Sequence, residues 1–185
     1  MTIGFAGINA ALPALSNNGC NDLAYDLLLQ DNYPSWLSHV KQGATTMWEN
    51  WDAYNEVDSY GSRGMNSFNH FAYGAVCEWF YTHMAGIEAG TPGFKEIILQ
   101  PTIDTRTAPH GGSSEERINA VNGSYDSSYG NIVSNWTSDG GVLSTYDTVV
   151  PANTTATLYL PVDENNPVID ADIEGATYEL SLIHI

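Results

Sequence analysis

Near residue 100 the hydrophobic pattern of this 185-residue chain changes its period, so no single layer of one secondary structure can hold both halves. Before that point the spacing is helical. Ala10 to Leu15 and Asp22 to Gln30 predict two short helices, separated by the turn signal Asn17-Asn18-Gly19. Asp22 is placed to cap the second, and Pro34 fits the first turn of a third that runs toward Val40. A longer helix is predicted from near Met65. There Phe68, Ala72, Ala75 and Trp79 recur at spacings of four, three and four, which lays them on one face, and Gly86 is its stop.

From Phe94 onward the pattern is that of strands. Lys95 to Leu99 is a β-branched apolar run, and the polar stretch from Asp104 to Glu116, with Pro109, Gly111 and Gly112, predicts a loop. Strands are then expected at Ile132 to Trp136, at Val142 to Val150 and at Thr155 to Leu160. Asp139-Gly140-Gly141 and Pro151-Ala152-Asn153 are the breaks between them. Ile132, Ser134 and Trp136 share one face by parity, which makes Trp136 a core residue. Helices first and strands second imply two units, residues 1–99 and 100–179, and not an alternating βαβ fold.

Charge narrows the partners. The formal net charge is −17, with Lys41, Lys95, Arg63, Arg106 and Arg117 as the only Lys and Arg residues. Such a field repels phosphate backbones and anionic membranes, so neither nucleic acid nor membrane is an expected partner, whereas a neutral ligand is compatible with it. The two cysteines, Cys20 and Cys77, make no disulfide framework and no zinc set. The acidic residues Asp163, Glu164, Asp170 and Asp172 lack the ordered spacing of a calcium loop, so no metal or other cofactor is expected. No apolar run has the length of a membrane span.

Two segments carry chemistry. In Gly43-Ala44-Thr45-Thr46-Met47-Trp48-Glu49-Asn50-Trp51-Asp52 two tryptophans bracket a glutamate, with an aspartate three residues on. Indole faces stack on the C–H faces of sugar rings, and a carboxylate beside them can activate water or protonate a glycosidic oxygen. The same spacing also fits a helix start capped by Thr45 or Thr46 with both tryptophans in the core. Glu49 and Asp52 lie within one turn of each other and tend to face one side. An inverting hydrolase needs carboxyls on opposite sides of the bond, roughly 6.5–9.5 Å apart, so only one of that pair is expected here. In the second segment, Asn66-Ser67-Phe68-Asn69-His70, amides and an imidazole could bind sugar hydroxyls, or cap a helix and pack within an interface.

Taken together, Tyr33-Pro34-Ser35-Trp36-Leu37, the block from Gly43 to Asp52 and the block from Gly64 to Val76 resemble the bacterial α-L-rhamnosidases of glycoside hydrolase family 78. Gly86-Ile87, Pro92-Gly93-Phe94-Lys95 and Pro151 to Ala156 continue the resemblance, which covers residues 3 to about 162. The resemblance implies the end of an (α/α)6 six-hairpin barrel followed by an antiparallel β-sandwich. It implies hydrolysis of terminal α-L-rhamnosyl residues with inversion, on a rhamnoside substrate. It makes Glu49 the general base, sets His70 against the rhamnose hydroxyls, and has Trp48 and Trp51 shape or line the cleft.

The same resemblance puts the general acid and the other acidic and tryptophan residues of the pocket on barrel segments upstream of Met1. The chain is therefore expected to be a C-terminal fragment, inactive alone, and its export signal and localisation are left open. Leu180 to Ile185 resembles the translation of a transposon-end adapter used in sequencing libraries and is read as a non-biological tail. Two other functions compete with the first. One is an (α/α)6 hydrolase of another sugar. The other is a non-catalytic carbohydrate-binding β-module using Tyr125, Tyr129, Trp136 or Tyr146.

Overall fold

The computed structural model describes residues 3–54, 65–108 and 116–161. Three helices come first: α1 (Phe5–Ser16), α2 (Asn21–Leu29) and α3 (Trp36–Lys41). Ile8, Leu12 and Leu15 line one side of α1 at helical spacing, and this stripe packs on Ala24, Tyr25 and Leu28 of α2. Asp22 lies in the first turn of α2 but does not cap it, since Cys20 holds that position without a side-chain capping bond. Pro34 likewise precedes α3. Ser35 is its cap, in a reciprocal box with Ser38, at 3.0 Å from the Ser38 N–H to Ser35 Oγ and 3.3 Å back.

The helix expected from Met65 starts only at Ala72. A 3₁₀ turn (Ala72–Ala75) leads into α4 (Val76–Trp79) and then a π turn (Phe80–Met84). The reason is lateral bonding: the carbonyl of Ser67 and the N–H of His70 are engaged by Glu49 and Met47, so the backbone from 66 to 70 cannot form a helical ladder. Trp79, fully buried, closes the helical core by an edge contact to Tyr25 at 5.2 Å and an indole N–H bond to Ser16 Oγ at 2.9 Å.

An aromatic group backs the same core on the α3 side. Trp36 and His39 share a face of α3 and meet Trp51. His39 also lies 4.6 Å from Trp48, and Trp51 stacks on Tyr73 at 3.8 Å. The buried imidazole bonds the Trp51 carbonyl through Nε2 at 2.9 Å, which fixes the proton there, while Nδ1 is buried with no partner. That burial holds the His39 pKa below its ordinary value, against the opposing effect of the Trp51 carbonyl.

Two three-stranded sheets follow. β1 (Ile87–Ala89), β2 (Glu96–Leu99) and β6 (Thr155–Leu158) form one; β3 (Ala120–Ser127), β4 (Gly130–Asp139) and β5 (Val142–Val149) form the other. The second is an antiparallel meander whose β4–β5 turn falls at the expected Gly140 and Gly141, with φ values of 60° and 87° that suit a primed hairpin turn. The first departs from the all-antiparallel expectation: β2 pairs with β6 in parallel, Glu96 opposite Thr155 through Leu99 opposite Leu158. Strands from opposite sides of residue 100 therefore share one sheet, because β2 must cover Ile97 and Leu99 against Ile87 and Ile132 in a common core. Trp136 is buried, its indole N–H bonding the Met84 carbonyl at 2.8 Å, and Ser134 Oγ bonds the Ala85 carbonyl at 2.6 Å. Between helices and sheet sits Gly86, with φ 71°, where an added Cβ would lie 2.1 Å from the carbonyl carbon of Gln100. The Asp163 to Asp172 carboxylates and the tail 180–185 lie outside the described residues.

A buried ion cluster ties the two halves. Arg106 grips Asp104 with two bonds, Nε to Oδ1 at 2.8 Å and Nη2 to Oδ2 at 2.9 Å, and reaches Asp26 of α2 at 3.1 Å. Asp104 Oδ2 also takes the Ile118 N–H at 3.0 Å. Beside the cluster, Tyr25 donates to the Thr102 carbonyl at 2.6 Å, and burial with Asp104 nearby keeps its phenol protonated far above the usual range.

Two outcomes are expected. Arg106→Met strands two buried carboxylates, a loss on the order of 3–5 kcal/mol. Denaturant unfolding of the enzyme carrying this segment measures it, and a change below about 1 kcal/mol would contradict the cluster's role. For His39 the unfolded state binds the proton more readily than the folded state. Its contribution is thus complete above an unfolded pKa of about 6.5 and is lost as pH falls from there toward the lower folded value. His39→Gln, which keeps a donor for Trp51 and does not titrate, should flatten the fall in melting temperature between about pH 7.5 and 5.5; equal slopes in wild type and variant would refute this.

Candidate active site

Glu49 lies in an irregular segment, residues 43–54, that faces a second irregular segment, residues 65–71, with antiparallel sense. Main-chain bonds join them: Glu49 N–H to the Ser67 carbonyl at 2.9 Å and His70 N–H to the Met47 carbonyl at 2.8 Å. Thr46 Oγ1 donates to the Phe68 carbonyl. Ser67 returns a bond, its N–H donating to Glu49 Oε2 at 2.7 Å, so Glu49 and Ser67 close a ring through main chain and side chain. One residue along, Asn50 Nδ2 donates to Asn66 Oδ1 at 2.8 Å. Glu49 is half-buried, and among the described residues nothing else bonds its carboxylate. A carboxylate with one oxygen fixed and the other open can accept a proton from a water placed against it.

The tryptophans that bracket Glu49 are both buried, at 4% and 8% exposure for Trp48 and Trp51, and pack against other rings. Trp48 holds Phe68 edge-on at 5.5 Å, which adds an aromatic contact to the bonds between the two irregular segments. His70 stands at the other end of the facing segment, its ring between Phe5 and Phe71 at 5.0 and 5.1 Å. Its Nδ1 accepts the Ala72 N–H at 3.2 Å, which in the neutral ring leaves Nε2 carrying the proton as a donor. Asn69 is exposed, Asp52 half-buried.

Sequence reasoning singled out Glu49, Trp48, Trp51 and His70 and overlooked Ser67, Asn50 and His39 as neighbours of that group. For His39 a signal existed, since it follows Trp36 by three residues on a helix and so shares its face. For the Ser67 N–H none existed, because every residue but proline carries one. Of the four aromatics that would serve a sugar-binding β-module, Trp136 is buried and Tyr146 is bonded to Ser134 at 2.9 Å; Tyr125 and Tyr129 are exposed. Among the described residues no group of three or more His, Cys, Asp and Glu is placed to hold a metal, and no helix is long and apolar enough to cross a membrane.

Residues 1–84 match the bacterial alpha-L-rhamnosidase 6 hairpin glycosidase domain, and residues 86–171 match the bacterial alpha-L-rhamnosidase C-terminal domain. The alpha-L-rhamnosidase of Streptomyces avermitilis is 36% identical over 169 residues, covering 91% of this chain and 15% of that protein. One from Formosa agariphila is 35% identical over 174 residues, covering 94% of this chain and 17% of its own length. The crystal structure of the Streptomyces avermitilis enzyme complexed with L-rhamnose superimposes with a TM-score of 0.73 at 35% identity, over 87% of this chain and 14% of that one. The alpha-L-rhamnosidase structure from Dictyoglumus thermophilum gives 0.72 at 27% identity, over 87% and 16%. This chain thus spans about a sixth or less of the relatives it matches, joining the end of their glycosidase domain to their C-terminal domain, and it belongs to the bacterial α-L-rhamnosidase family.

Proposed function

We propose that this chain supplies the base side of an inverting α-L-rhamnosidase, with Glu49 as general base. The observation that carries the reading is the partly buried carboxylate, one oxygen pinned by the Ser67 N–H and the other without a bond among the described residues, between two buried tryptophans in the chain. In the reaction, Glu49 takes a proton from water as its oxygen attacks the anomeric carbon. The glycosidic C–O bond breaks on the opposite face, and a general acid gives its proton to the leaving oxygen. We assign that acid to parts of the complete enzyme outside these 185 residues, so the chain alone is inert. His70 Nε2–H donates to a rhamnose hydroxyl, and Trp48 and Trp51 shape the cleft. The L-rhamnose held by the Streptomyces avermitilis relative supports rhamnosides as the substrate class.

In this reading α1 through Met84 form the last part of an (α/α)6 barrel. The two sheets form a β-sandwich that begins at Gly86, where the glycosidase and C-terminal matches meet, and not at residue 100. Glu49→Gln in the complete enzyme should lower kcat for an aryl α-L-rhamnoside by about 10²-fold or more, with the melting temperature unchanged. Near-normal turnover in the variant would remove Glu49 from the mechanism.

A further inference from the structure

Among the described residues, the bond between Asn50 and Asn66 is the last hydrogen bond between the two irregular segments before residue 55. It lies one residue beyond the Glu49–Ser67 ring on both segments. Asn66 keeps only one of its amide capacities, since Nδ2 is buried without a partner. A buried amide with an unmet donor is unfavourable for stability by itself, and an apolar residue of similar size would avoid that cost. Its oxygen, however, is the acceptor that Asn50 uses. Neither segment is helix or strand, and among the described residues no main-chain bond joins them beyond the Glu49–Ser67 pair at that end. If they part, the Ser67 N–H leaves Glu49 Oε2, and the carboxylate gains a rotational freedom that the reaction geometry does not tolerate.

We propose that Asn50 and Asn66 form a clasp that positions Glu49, a role neither residue plays by touching substrate. The proposal rests on Glu49 being the general base. The clasp acts on the transition state, in which water is deprotonated, and not on rhamnoside binding, so its loss lowers kcat and leaves KM alone.

The test uses the complete enzyme and an aryl α-L-rhamnoside with a good leaving group, with Asn66→Ala and Asn50→Ala made singly, together, and each in a Glu49→Gln background. Each single variant should lower kcat by about ten- to hundredfold with KM within about threefold. The double variant should be no worse than either single one, because both remove the same bond. In the Glu49→Gln background the same substitutions should change kcat by less than about twofold, because the group they position is gone. A purely structural role would instead lower activity equally in both backgrounds and follow the melting temperature; that result, or unchanged kcat in the single variants, overturns the clasp while leaving Glu49 as base. If Glu49→Gln itself retains near-normal turnover, the base reading fails, and the clasp with it. Should Asn66→Ala not fold, Asn50→Ala alone decides, since it breaks the same bond from the other side.

Discussion

A guanidinium in the interior of a chain with so few cations decides how this molecule holds together. Arg106 is nearly inaccessible, and it neutralises Asp104 from its own segment and Asp26 from α2. Buried pairs of this kind add little net stability compared with apolar packing, because both charges lose their water. Their effect is on geometry: a planar fork bonding two carboxylates admits one relative placement of the elements that carry them. The link after the first sheet's β2 is thereby fixed against α2. Tyr25 donating to Thr102 and Thr105 Oγ1 donating to Asp22 at 2.6 Å extend the same seam. Helical core and sheet core, separate in their apolar contacts, are joined by polar bonds along this line.

The candidate site depends on that frame at one remove. α1 and α4 pack together and set Tyr73, which stacks on Trp51, while α3 brings Trp36 and His39 against the same indole. The Trp36 indole N–H also bonds the Tyr73 carbonyl at 2.9 Å. Three ring systems from distant positions thus converge on Trp51, in the segment that carries Glu49, filling space that the irregular segment cannot fill with regular structure. Flat side chains suit this task, since they bury large areas with few rotatable bonds.

How much of this was legible follows from where the information lies. α2 and α3 were readable because their apolar spacing is local, whereas α1 begins at Phe5, ahead of the expected Ala10. Two glycines, Gly4 and Gly7, weaken the helical signal there, and packing of Ile8 against the core overrides it. β1 is three residues long, too short to show alternation, and β3 (Ala120–Ser127) is so polar that it carries almost no strand signal. The parallel pairing of β2 with β6 joins residues more than fifty apart, and nothing local encodes it. In the site, residue types disclosed Glu49, the tryptophans and His70. The backbone amide of Ser67 and the mutual bond of two asparagines did not announce themselves, because their meaning comes only from which segments face each other.

The failure of the expected helix at Met65 is also what makes the site workable. In a helix from Met65 the Ser67 carbonyl would go to the N–H four residues on and the His70 N–H to the carbonyl four residues back, so neither could bond the facing segment. An irregular segment leaves both groups free. The Ser67 carbonyl can therefore take Glu49's own amide while the Ser67 N–H turns to the Glu49 carboxylate. Ordering each residue costs about 1–2 kcal/mol of backbone entropy in a helix or out of one, and here no repeating ladder offsets it. That cost is offset by contacts made at intervals along the two segments: Thr46 to Phe68, Met47 to His70, Trp48 against Phe68, Asn50 to Asn66. A carboxylate held by a main-chain donor, within segments fixed by side chains, is a consequence of giving up the helix.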